Sequence, residues 1–210
     1  MGVLGALKKI LGEDLSELNE YECFIKAQEG NWDHQAGTYC NPTKALKYLD
    51  RAIQLNPKEA QAYTGRGQAY QKLNNFDLAI KNFNKAIELE STVVRYIQRA
   101  MCYLQSGQSK NAFADFNTAI KLDPTNLDPY IIRAGVYVSL QQFELAIVDY
   151  NKIIDIQPDN FEHYVCRGYQ YYELGEFQNA IKDYDIAIEL EPNISKIHEY
   201  RRLAYEKIHK

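Results

Sequence analysis

The stretch YVCRGYQYYELGEFQNAIKDYDIAIELEP, residues 164–192, carries two amphipathic patterns joined by a glycine and closed by a proline. Tyr164, Gly168 and Tyr171 lie on one helical stripe, and Ala180, Tyr184, Ala187 and Ile188 on a second. Between them, Leu174-Gly175-Glu176 places a glycine where a helix can end in a left-handed residue. Pro192 cannot continue the second helix. Large Tyr alternates with small Ala or Gly for a packing reason. Where helix axes approach closely, one side must be small and its neighbour fills the remaining space.

The same pattern recurs along the chain. Tyr63, Tyr96, Tyr130 and Tyr164 are spaced by 33, 34 and 34 residues. Arg66, Arg99, Arg133 and Arg167 follow three residues later, and Tyr70, Tyr103, Tyr137 and Tyr171 four after those. Ala79, Ala112, Ala146 and Ala180 come next, each with an aromatic residue four further on, and most units close with Pro. A single helical hairpin cannot bury its apolar faces alone, so copies at a fixed period imply a stacked solenoid. The 17 tyrosines against one Trp fit a residue that fills a periodic structural place.

The run Tyr-x2-Arg-Gly-x2-Tyr…Ala-x3-Tyr-x2-Ala…Pro resembles the tetratricopeptide repeat. The resemblance implies an all-α fold: an α-solenoid of stacked helix–turn–helix units, about eleven or twelve helices in a right-handed superhelix. It assigns units to 60–92, 93–126, 127–160 and 161–194, with a divergent first unit over 16–59 and a loop insertion near 33–43. An N-terminal amphipathic segment, 1–15, precedes them and a capping helix, 195–210, follows. Three departures stand out. The 60–92 unit ends in Glu90-Ser91 without Pro, which predicts a looser junction; Ile153 replaces an Ala of the pattern; and DHQAGTYCNPT interrupts the first unit.

The totals exclude several function classes. A net charge of −4 over 210 residues argues against gripping nucleic acid, which needs a basic stripe. No run approaches the roughly 20 apolar residues that cross a bilayer. Cys23, Cys40, Cys102 and Cys166 are scattered without a CxxC, which fits free thiols in the cytoplasm. GxxxxGK[ST], GxSxG and HExxH are absent. HEYRR at 198–202 lacks the second His of a zinc motif, and His163 with Cys166 offers two ligands without a third. The expectation is a protein that is not an enzyme and has no cofactor and no metal.

Two constellations remain. Arg66, Arg99, Arg133, Arg167 and Arg201 recur where the family more often has Leu, and Asp115, Asp149 and Asp183 recur with Asn82 in the equivalent place. A guanidinium carried into a helix interface needs acceptors, and a carboxylate offers two. This predicts a semi-buried ladder between neighbouring helices; the alternative is independent solvated charges.

The second constellation follows from the resemblance, which implies a concave surface lined by the first helix of each pair. Its places hold polar Gln61, Thr64, Gln68 and Lys72 in one unit, then Ile97, Met101 and Leu104, then Ile131, Ile132 and Val138, then Val165, Tyr169 and Tyr172. Family members that clamp a C-terminal carboxylate use cations where this chain has Thr64, Gln68, Gln98, Asp128 and Ile132. The expected partner is therefore a protein or peptide presenting an apolar segment or amphipathic helix, and not nucleic acid. The function expected is a scaffold or adaptor; the alternative is a homo-oligomer organised by the N-terminal helix or the ends of the stack. Residues 3–18 place Val3, Leu4, Leu7, Ile10, Leu11, Leu15 and Leu18 on one face. That face can pack on the first repeat, dock in a groove, or make the one membrane contact the sequence allows.

Overall fold

A computed structural model describes residues 18–28, 32–33, 38–39 and 41–209, and among them the chain forms eleven helices and one short strand pair. The 1–15 segment and residues 34–37 and 40 of the 33–43 insertion lie outside the described residues. The chain divides into two compact units, the first ending at Leu122 and the second beginning at Asp123.

In the first unit, α1 (Glu20–Gln28), α2 (Pro42–Leu55), α3 (Ala60–Lys72), α4 (Phe76–Leu89), α5 (Val93–Gln105) and α6 (Ser109–Leu122) each pack on the next in the chain. Between α1 and α2, β1 (Trp32–Asp33) pairs antiparallel with β2 (Thr38–Tyr39), so the insertion contains a minimal ladder. In the second unit, α7 (Asp128–Ser139), α8 (Phe143–Ile156), α9 (Phe161–Glu173), α10 (Phe177–Leu190) and α11 (Ser195–Ile208) follow the same sequential packing.

The turns inside the hairpins share one construction. Asn74, Gly107, Gln141 and Gly175 all take positive φ, between 57° and 77°. The next N–H donates back to the carbonyl of a repeat tyrosine: Asn75 to Tyr70, Gln108 to Tyr103, Gln142 to Tyr137 and Glu176 to Tyr171, at 2.7–2.9 Å. This is the six-to-one bond that closes a helix on a left-handed residue. The position in the turn, not a glycine, is what repeats.

The small–large alternation appears in the core as close approach. Ala79, Ala112, Ala146 and Ala180 are wholly buried, as are Phe83 and Phe116, and Tyr184 is nearly so. A Cβ at Gly168 would stand 2.8 Å from a Tyr184 ring carbon, and one at Gly67 would stand 2.9 Å from Phe83. Ile153, where the pattern has Ala, is fully buried. In α11, Ile197 and Ala204 bury against the α9–α10 core.

The junction after residue 90 is tied rather than loose. Arg95, 6% exposed, donates from Nε to Thr64 Oγ1 at 2.9 Å and from Nη1 to the Glu90 carbonyl at 2.8 Å. The same Nη1 lies 2.8 Å from the Glu90 carboxylate. Where Pro would have set the turn by its fixed φ, a buried guanidinium gathers the chain end onto α3.

Candidate functional site

Each of the four hairpins from α3–α4 to α9–α10 presents an arginine on its first helix to an acceptor sixteen residues later on its second. Arg99 Nε and Nη2 donate to Asp115 at 2.8 and 2.6 Å, and Arg167 does the same to Asp183 at 2.8 and 2.7 Å. Arg133 makes the corresponding fork to Asp149. The carboxylates are buried, Asp149 to 1% exposure, while the arginines retain a thin exposed edge. Tyrosine rings flank the guanidiniums: Tyr96 and Tyr103 around Arg99, Tyr130 and Tyr137 around Arg133, with centroids 5.4–6.0 Å away. Hydrogen bonding to Asp183 raises the Arg167 pKa further, so the charge is permanent.

A second set of acceptors escapes sequence reading. Arg99 Nη1 donates to Asn84 and Arg167 Nη1 to Asn151, both at 2.7 Å; Arg66 and Arg201 do the same to Asp50 and Asp185. These acceptors sit on the preceding hairpin, so Arg66, Arg99 and Arg167 each tie their own hairpin to the one before it. Their signal was present: Asn84, Asn151 and Asp185 each stand two residues beyond Asn82, Asp149 and Asp183.

The apolar first-helix positions divide between the units. In the first, Ile97, Met101 and Leu104 fall along one side of α5 at helical spacing and are half-buried. On α3, Gln61 and Lys72 are exposed, but Thr64 is not an open lining residue: it is 4% exposed, bonded to the Ala60 carbonyl and to Arg95. In the second unit, Ile131 is 42% exposed on α7, with Ile132 and Val138 half-buried. On α9, Tyr169 is 43% exposed, whereas Val165 and Tyr172 pack partly against the C-terminal core and Tyr172 meets Phe177 edge-on.

The titratable side chains form no reactive constellation among the described residues. Burial pushes the Cys102 thiol up to about 12, and burial also raises Cys166, which hydrogen-bonds with Tyr150. Burial holds the His163 imidazole below the ordinary histidine range, against the smaller pull of Glu162, and its Nε2 lies 3.1 Å from Gln157 Oε1. His163 and Cys166 thus each have a separate partner. No group of three metal-ligating side chains occurs among the described residues, and no helix there is long and apolar enough to cross a membrane.

Comparison with known proteins identifies the repeats. Family profiles described as "Tetratricopeptide repeat" match residues 60–92, 95–126, 127–160 and 162–194, more than half of the chain. Serine/threonine-protein phosphatase 5 of Rattus norvegicus is 32% identical over 85 residues, 40% of this chain and 17% of that protein. The Hsp70-Hsp90 organizing protein of Triticum aestivum is 30% identical over 115 residues, 54% of this chain and 20% of that protein. The chain therefore spans a fifth or less of these curated relatives. Among solved structures, the C-terminal part of a TPR repeat-containing protein from Cytophaga hutchinsonii superposes with a TM-score of 0.73 at 19% identity, covering 91% of this chain and 72% of that one. Repeat spacing, helical hairpins, family profiles and structural likeness converge: the chain belongs to the tetratricopeptide repeat family.

Proposed function

We propose that this chain is a non-enzymatic protein-interaction scaffold whose first-helix faces hold an apolar peptide or amphipathic helix of a partner protein. The observation that carries this reading is the side-by-side placement of Ile97, Met101 and Leu104 on α5, half-exposed on a first helix whose opposite side is occupied by the arginine ladder. Ile131 and Tyr169 add exposed apolar area to the corresponding helices of the second unit. Such area in water favours a partner that covers it, at about 25 cal/mol per Å² removed. The wheat relative is named for organising Hsp70 and Hsp90, which supports an adaptor role. A carboxylate-clamp mode is disfavoured, because Thr64 is buried against Arg95 and Gln68, Gln98, Asp128 and Ile132 supply no cation.

The test is selection of displayed peptides on the full chain, with counter-selection on a Leu104→Asp/Val138→Asp variant shown by circular dichroism to be folded. The proposal predicts enriched peptides with apolar residues at helical spacing, whose binding falls by at least about tenfold on the variant. Equal binding to both proteins would overturn the assignment.

A further inference from the structure

One rung of the ladder lacks its carboxylate. At the position of Asp115, Asp149 and Asp183, the 60–92 repeat has Asn82. Arg66 Nε donates to Asn82 Oδ1 at 2.7 Å and Nη1 to Asp50 at 2.8 Å, but Nη2 has no acceptor among the described residues. The other side-chain atom of Asn82 cannot serve, because its Nδ2 is a donor and is bound to the Leu78 carbonyl at 2.7 Å. In the Arg99 and Arg167 rungs, the matching Nη2 meets a carboxylate oxygen at 2.6–2.7 Å.

Arg66 lines a cavity of about 470 Å³ within the first unit. Tyr63 and Tyr70 line it from α3, and Lys81, Asn82, Lys85 and Glu88 from α4. Lys85 is paired with Glu88 at 2.8 Å, whereas Lys81 is exposed and has no partner among the described residues. The equivalents of Lys81 and Lys85 are Ala114 and Thr118, Val148 and Lys152, then Lys182 and Ile186. Only this repeat carries lysine at both places, and in its rung the one carboxylate, Asp50, stands on Nη1 while Nη2 is left open. Arg66 keeps 24% of its side chain exposed, so the prong is reachable.

We infer that this cavity binds a carboxylate from outside the hairpin, the Asp or Glu side chain of an acidic peptide segment. One oxygen takes Arg66 Nη2 and Lys81 balances the other, with the methylene groups against the Tyr63 and Tyr70 rings. The ladder itself displays the ligand chemistry, since the Arg99 and Arg167 rungs seat an internal aspartate on the matching prong. The site lies where α3 meets α2 and α4, apart from the apolar positions of α5, and does not depend on them.

The test is side-chain NMR of the full chain at constant ionic strength, following the Arg66 Nε–Hε resonance during titration with acetyl-tetraglutamate amide. A parallel titration uses inorganic phosphate. The expected result is a saturable shift of Arg66 with tetraglutamate while Arg99 stays still. Asn82→Asp, which supplies the missing internal carboxylate, abolishes that shift, and Lys81→Ala weakens it by about tenfold. Lys81, on the surface, keeps the test open should Asn82→Asp disturb the fold. No saturable Arg66 shift in the wild type, an unchanged shift in both variants, or saturation by phosphate alone would overturn the assignment.

Discussion

Arg133 and Arg201 occupy the same place two repeat lengths apart and do different work. Arg133 forks onto Asp149, which is 1% exposed, so truncating the arginine strands a carboxylate with no access to water. Arg201 pairs with Asp185 at the surface, at 37% and 41% exposure, where solvent screens the pair. Arg133→Ala is predicted to lower unfolding free energy by about 3 kcal/mol in a denaturant melt, and Arg201→Ala by less than about 1 kcal/mol. Equal, small losses would show that the ladder is a row of solvated charges. Gln141 gives a second contrast at this scale. It holds φ at 57° where two sister turns use Gly, a conformation that costs an L-residue roughly 1–2 kcal/mol. Gln141→Gly is expected to raise the melting free energy by roughly 0.5 kcal/mol or more, after the added backbone entropy of glycine is subtracted. A destabilisation would mean that the glutamine side chain holds the turn.

At the scale of the helix, what was legible in the sequence was whatever recurs in phase. Tyr, Arg, Ala and the second aromatic repeat at one spacing, and each maps to one place in a hairpin: flank of the ladder, rung, helix contact and core. Arg95 was illegible for a physical reason. Its equivalents are Ala62, Pro129 and His163, all buried, so the site is constant in burial and different in chemistry. Periodicity finds shared residue types, whereas this position shares only a lack of water. Thr64 was misplaced for the same reason, because its partner Arg95 lies 31 residues away on another helix. The left-handed turns were half visible: Gly107 and Gly175 announce them, while Asn74 and Gln141 adopt the same φ and are recognised by the bond returned to a repeat tyrosine. The Asx residues that receive each Arg Nη1 were readable but unused, since the eye stops at the first acceptor that satisfies the charge.

At the scale of the whole molecule, we propose two kinds of surface for two kinds of partner chemistry. The ladder neutralises its own cations and leaves apolar residues on the first helices; in the 60–92 repeat Asp50 takes Arg66 Nη1, and Nη2 is left open beside two lysines. Exposed apolar residues are not confined to first helices, however. Leu145 and Val148 on α8 are 46% and 55% exposed, so exposure alone does not choose the binding face. The proposed face rests instead on the arrangement of Ile97, Met101 and Leu104 along one helix. The direct measurement is methyl NMR mapping of a selected apolar peptide bound to the full chain. The scaffold account predicts shifts on first-helix side chains, Ile97, Met101 and Leu104 in the first unit or Ile131, Ile132 and Val138 in the second, with Leu145 and Val148 unmoved. Shifts centred on Leu145 and Val148 would contradict it and place recognition on the second helices.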